Sequence, residues 1–119
     1  MVIAILGILA AIAIPRFTAT LSNAKLKADN STAKTIQSAA MVYQADSSTN
    51  SLPTTISSTV MANYLSADTF VSTGKVKAPA QTGMHFWYAS STGVCVCSDT
   101  AANAATGGGG SASDYAQID

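Results

Sequence analysis

The chain has 119 residues, enough for one domain of ordinary size and too few for two. Charged residues make up only 10% and balance to zero net charge, so an electrostatic nucleic-acid binder is not expected, because phosphate neutralisation needs clustered Lys and Arg. A single His and the lack of Glu leave acid–base and metal-assisted catalysis without side chains to perform it. We therefore do not expect an enzyme.

The chain begins with an apolar run, MVIAILGILAAIAI, and Arg16 is its first charge. At ~1.5 Å per residue this run spans about 21 Å as a helix, less than the ~30 Å hydrocarbon core of a membrane. It fits a signal peptide cleaved near Ala13, a buried core helix, or a membrane or assembly helix that continues upstream. The missing basic residue before the run disfavours the signal peptide, and one small domain has little room to bury an all-apolar helix.

The run MVIAILGILAAIAIPRF, from Met1 to Phe17, resembles the N-terminal helix of type IV pilins and of the related type II secretion pseudopilins. The match is closest from Gly7 to Pro15. In that family a basic leader and a short segment with an assembly glutamate precede this run, so we expect further residues upstream. The resemblance also implies a pilus assembly machinery as partner: a prepilin peptidase, a platform protein and an ATPase.

The resemblance implies a structural subunit of an extracellular filament, anchored in the inner membrane before assembly and polymerised into a helical homopolymer. The alternatives within the family are a type II secretion or competence pseudopilin in a short periplasmic filament, or a minor pilin with an adhesive or DNA-binding role. Pro15 removes a backbone donor, which predicts a kink or a melted turn between Gly7 and Pro15. The residues expected in the filament core are Ile3, Ile5, Leu6, Gly7, Ile8, Leu9, Ala10, Ala11, Ile12, Ile14, Pro15 and Phe17.

Residues 17–45 contain neither Pro nor Gly and predict an amphipathic continuation of the helix. One apolar stripe consists of Phe17, Leu21, Ala24 and Ala28. A second stripe, expected to pack on a sheet, consists of Leu26, Ala33, Ile36, Ala40 and Tyr43. The positions expected to be solvated are Lys25, Lys27, Asp29 and Lys34.

Beyond the helix the pattern predicts short elements. Ser47–Pro53 is rich in turn residues and Thr59–Leu65 fits a short helix, while residues 74–83 show no clear preference. His85–Ala89 and Val94–Ser98 read as two strands joined by a turn at Ser90–Gly93, the clearest hairpin in the chain. A long N-terminal α-helix packed on a small antiparallel sheet is an α+β fold, which is also the pilin-like arrangement.

The predicted organisation has two parts. Residues 1–16 form the hydrophobic half of the helix, and residues 17–119 form the globular domain. Within that domain, residues 17–45 are the amphipathic helix half and residues 46–98 hold the loop and the hairpin. Residues 99–119, rich in Gly, Ala and Ser, are expected to be a flexible, variable loop region, with Tyr115 and Ile118 attaching its end to the domain.

Cys95 and Cys97 are the only cysteines. In a strand, residues two apart have Cα atoms ~6.6 Å from each other, at the edge of the range for a disulfide. We therefore expect free thiols or an irregular local bridge instead of a disulfide between subunits. His85 could join them as a third metal ligand, but no fourth is evident, so no metal site is predicted.

The run Phe86-Trp87-Tyr88 raises the question of a ligand platform. Strand alternation places Phe86 and Tyr88 on one face, which favours core packing. No cofactor is predicted. One alternative is calcium, because the carboxylates of the tail resemble the calcium loop of major pseudopilins, although the loop signature is missing. These carboxylates are Asp99, Asp114 and Asp119.

Overall fold

One long helix dominates the computed structural model, which describes residues 1–119. Helix α1 spans Val2–Asp46, and its 45 residues extend about 68 Å at ~1.5 Å per residue, close to the 72 Å length of the molecule. An alanine-rich sequence without glycine after Gly7 favours this helix. It ends where Ser47 turns to an extended conformation, with the Ser47 amide donating to the carbonyl of Tyr43 (2.9 Å).

The helix passes through Pro15 without interruption. The melted turn that we predicted between Gly7 and Pro15 is therefore wrong. A proline removes one amide donor, and the helical turns on both sides hold the segment in place. Close to the proline, the Thr18 hydroxyl donates to the carbonyl of Ile14 (3.0 Å), which gives that carbonyl a side-chain partner.

Only the C-terminal part of α1 packs against the rest of the chain. Ala33, Ile36 and Ala40 are buried and Tyr43 is partly buried, as the second stripe predicted. Leu26, the first member of that stripe, remains 42% exposed, because the domain begins further along the helix.

Three strands form one antiparallel sheet in the order β2-β1-β3. They are β1 (His85–Ala89), β2 (Cys95–Ser98) and β3 (Tyr115–Gln117). Strands β1 and β2 are the predicted hairpin, with Phe86 opposite Cys97. The turn ends at Gly93, whose φ of 77° favours glycine, and Val94 lies just outside β2. The predicted α+β fold, a long helix on a small antiparallel sheet, is confirmed.

The connection between α1 and β1 is irregular. The loop predicted at Ser47–Pro53 is confirmed, but the helix predicted at Thr59–Leu65 is wrong. That segment makes isolated helical turns, such as the bond from the Leu65 amide to the Met61 carbonyl (2.9 Å). Seven residues give too few bonds to offset the cost of helix nucleation, and the nearby regular element is a 3₁₀ turn at Ala67–Thr69.

Residues 99–119 hold more regular structure than the predicted flexible loop. Helix α2 spans Ala101–Gly108 and is capped by Thr100, whose hydroxyl accepts from the Asn103 amide (3.3 Å). The alanines of this segment favour a helix. The glycine run ends it, with Gly109 at φ 84° as the C-cap, so the glycines have a defined structural role.

The sheet lies between the two helices. Phe86 and Tyr88 project from one face into the cluster beneath α1, and Trp87 projects from the other face towards α2. Tyr115 and Ile118 are buried, as predicted, and attach β3 and the following residue to the two clusters.

Candidate functional site: an exposed apolar helix

The residues predicted for a filament core stand clear of the domain. Every residue from 1 to 28 is exposed, and the large apolar side chains of the predicted set are 58–85% exposed. Helix α1 contains a window long and apolar enough to cross a membrane, and none of that window is buried within the chain. The buried core helix considered from the sequence is therefore excluded for this segment. A long apolar helix of this kind can anchor in a membrane.

An uncharged stripe continues the exposed surface along α1 into the domain. Its members follow each other in alternating steps of four and three residues, and all of them are exposed. An average step of 3.5 residues is the spacing with which two helices pack along their length. From the sequence we identified only the first four members, because small hydroxyl residues interrupt the apolar pattern after them. The uncharged stripe consists of Phe17, Leu21, Ala24, Ala28, Ser31, Thr35, Ser38 and Val42.

The basic side chains of α1 have no acidic partner within the chain. Lys25, Lys27 and Lys34 are exposed, as predicted. The only ion pair in the structure joins His85 Nδ1 to Asp119 Oδ2 (3.1 Å). These cations are therefore available to solvent or to another molecule.

Asp29 was predicted to be solvated, but only 4% of it is exposed. Its carboxylate accepts from the Ala80 amide (2.8 Å), the Gln81 amide (3.1 Å) and the Gln81 side-chain Nε2 (3.0 Å). These donors take the place of water, so the buried carboxylate needs no cation beside it. Asp29 precedes Ala33 and Ile36 by four and seven residues, a spacing that indicates the buried face.

Cys95 and Cys97 lie on β2 as free thiols, Cys95 buried and Cys97 partly buried. Burial raises the pKa of Cys95 to about 12. Burial, and then the negative charges of Asp29 and Asp119, raises the pKa of Cys97 to about 11. Both groups are therefore thiols at neutral pH and weak nucleophiles, because the thiolate is the reactive form.

His85 does not join the cysteines in a cluster. Its Nδ1 lies 3.1 Å from Asp119 Oδ2 and 3.2 Å from Gln117 Nε2, which holds the ring against β3. No three His, Cys or Asp side chains lie close enough together to hold a metal ion.

The tail carboxylates considered for calcium have separate partners. Asp99 accepts from Asn103 Nδ2 (2.7 Å), which lowers its pKa, and Asp114 accepts from the Ser111 amide (2.9 Å). Asp119 pairs with His85. Each carboxylate thus supports a local cap or strand contact, and the structure does not bring the three together.

The aromatic run packs as predicted. Phe86 and Tyr88 are buried, and the Tyr88 hydroxyl donates to the Pro53 carbonyl (2.9 Å). Trp87 lies on the opposite face, where its indole nitrogen donates to the Ser98 carbonyl (3.1 Å). These contacts account for all three rings without a ligand.

No protein-family model matches the chain, and no curated protein and no solved structure matches it at a significant level.

Proposed function

We propose that this chain is a structural subunit, a pilin, of a type IV pilus-like extracellular filament and that it polymerises through the N-terminal half of α1. The exposure of residues 1–28 is the observation that carries the proposal. These residues make about 40 Å of helix at ~1.5 Å per residue, and every one of them is exposed. Burying one Ile or Leu side chain stabilises by ~1.5–3 kcal/mol, so a partner that covers this segment gains a large free energy.

Two environments can cover the segment in turn. The membrane does so before assembly, and other copies of the chain do so in the filament. The small residues Gly7, Ala10, Ala11 and Ala13 let helices approach closely. The uncharged stripe extends this packing surface beyond the membrane-anchoring part of α1, and the resemblance of residues 1–17 to type IV pilins supports the same function. The proposal assigns no catalytic role to the chain.

The experiment that tests the proposal is electron microscopy of filaments sheared from the source cells, with mass spectrometry of their main subunit. Long fibres built mainly of this chain are expected. Fibres that lack it, or that contain only traces of it, would contradict a major pilin. Those outcomes would favour the pseudopilin and the minor pilin respectively.

Leu21 offers a test that separates filament packing from membrane anchoring. It lies in the uncharged stripe, beyond the apolar run and Arg16, and is 48% exposed. Leu21→Asp places an unpaired carboxylate in the proposed helix interface, which costs several kcal/mol when buried. We expect the yield of sheared filaments to fall, while cell fractionation finds the same amount of the chain in the membrane fraction as for the parent.

The matched control is Asn23→Asp. Asn23 is also exposed, and the two-residue step turns it about 200° around the helix from Leu21, off the uncharged stripe. It receives the same charge and should keep filament yield near that of the parent chain. Equal yields from the two variants would refute packing through the stripe.

A further inference from the structure

Two thiol groups project from the same face of β2. Cys95 and Cys97 are alternate residues of the strand, so their side chains share one face, and both belong to the cluster beneath α1. Val96 between them packs on the opposite side of the sheet. The only sulfhydryl groups of the chain are thus held side by side.

Their spacing suits a bridging ion better than a disulfide. Alternate residues of a strand have Cα atoms ~6.6 Å apart with nearly parallel side chains, whereas a disulfide needs Cβ atoms ~3.8 Å apart. Pairing of Cys95 with Tyr88 and of Cys97 with Phe86 holds β2 extended. Two metal–sulfur bonds of ~2.3 Å in line would hold the sulfurs about 4.6 Å apart, which is closer to the ~6.6 Å spacing of the Cα atoms than the ~2 Å sulfur separation of a disulfide.

The surroundings include a depression and one nearby cation. The depression, of about 280 Å³, lies along the outer edge of β2 and is lined by both cysteines and Val96, by Asn30, Ala33 and Lys34 of α1, and by Gly107 of α2. Two thiolates around a monovalent cation carry a net charge of −1. Lys34, which has no acidic partner in the chain, opposes this charge, and the carboxylates of Asp29 and Asp119 near Cys97 add to it.

The ligand set selects the ion. Zinc takes four ligands in structural sites, and no third His, Cys or Asp side chain completes a group with the two thiols. Soft thiolates without oxygen or nitrogen ligands select Cu(I) among the common metals. We propose that Cys95 and Cys97 form a two-coordinate Cu(I) site, in which both S–H bonds are broken, two protons are released to solvent and two Cu–S bonds form without a change of oxidation state.

The test uses the full chain in non-ionic detergent, reduced and kept free of oxygen. Cu(I) is added as its acetonitrile complex and competes with a chromophoric chelator such as bathocuproine disulfonate. We expect one tightly held Cu(I) per chain and a copper X-ray absorption spectrum with two sulfur ligands. Cys97→Ser, a change at the partly exposed position, should abolish this binding while circular dichroism remains that of the parent chain.

Met41→Leu is the matched control, because it removes an exposed thioether sulfur of α1 and leaves β2 untouched. This variant should keep the bound copper. Retention of copper by Cys97→Ser would overturn the proposal. Rapid formation of a Cys95–Cys97 disulfide on treatment with diamide, seen as the loss of two hydrogen atoms per chain, would also overturn it, because the strand would then bring the sulfurs into bonding distance.

Discussion

At the scale of single residues, Asp29 is the main polar link between α1 and the loop before β1. The carboxylate accepts hydrogen bonds from the backbone amides of Ala80 and Gln81. Asp29→Asn keeps the size of the side chain but replaces one acceptor oxygen by a donor, which leaves one of these backbone amides without its acceptor. Hydrogen bonds to charged groups contribute ~1.5–3 kcal/mol, and we expect a loss of this size in unfolding free energy. Urea unfolding followed by the fluorescence of Trp87 measures it.

Asp68→Asn is the control for that change. Asp68 is exposed and lines the same surface depression as Asp29, and its carboxylate accepts no hydrogen bond within the chain. Its replacement should alter stability by no more than ~0.5 kcal/mol. Hydrogen exchange gives a second readout, because the amides of Ala80 and Gln81 should lose protection only in the Asp29 variant. Equal effects of the two substitutions would contradict the role assigned to Asp29.

Three buried or partly buried groups link stability to alkaline pH. Burial raises the pKa of Tyr88 from 10.0 to about 12 and those of Cys95 and Cys97 from 9.0 to about 12 and about 11. The folded state therefore holds these protons more tightly than the unfolded state, so their contribution is complete below pH 9 and is lost as the pH rises towards 12. We expect the urea midpoint to be constant from pH 7 to 8 and to fall above that range. Tyr88→Phe should weaken the fall above pH 10, and a constant midpoint up to pH 12 would contradict the assignment.

At the scale of elements, the parts with a local signal were predicted correctly. The apolar run and the stripe of Ala33, Ile36 and Ala40 follow helical spacing over many turns, and the hairpin of β1 and β2 combines aromatic alternation with a Ser-Ser-Thr-Gly turn. In both cases the residues that determine the element are close together in the sequence. Burial on one face follows from the same periodicity.

The features that the sequence did not predict, the burial of Asp29 and helix α2, depend on contacts that form in the folded chain. Asp29 is buried because Ala80 and Gln81, about 50 positions away, supply its donors, and no local pattern contains that information. Helix α2 is short and glycine-rich at its end, so its composition resembles a loop. It is stabilised by the cap at Thr100 and by packing of Ala104 against the sheet.

At the scale of the whole molecule, the chain divides at about residue 28. Every residue before it is exposed, and the part after it contains both apolar clusters and every buried residue. The two parts are therefore stabilised by different contacts. The domain is stabilised by its own core, whereas the exposed helix has no core of its own, and under the proposed function a membrane or other copies stabilise it.

This division predicts that the domain folds without the exposed helix. A shortened chain of residues 25–119 keeps Asp29, both clusters and all three strands, and loses only exposed side chains. We expect it to be monomeric without detergent by light scattering, with a cooperative thermal transition and the Trp87 fluorescence of the full chain. In the full chain, the large apolar side chains of the predicted filament core are 58–85% exposed. The full chain should therefore require detergent or form assemblies. A shortened chain that fails to fold would show that the first 24 residues belong to the domain. One that still assembles would move the main contact from the N-terminal half of α1 to the domain surface, where the remaining members of the uncharged stripe are the first candidates.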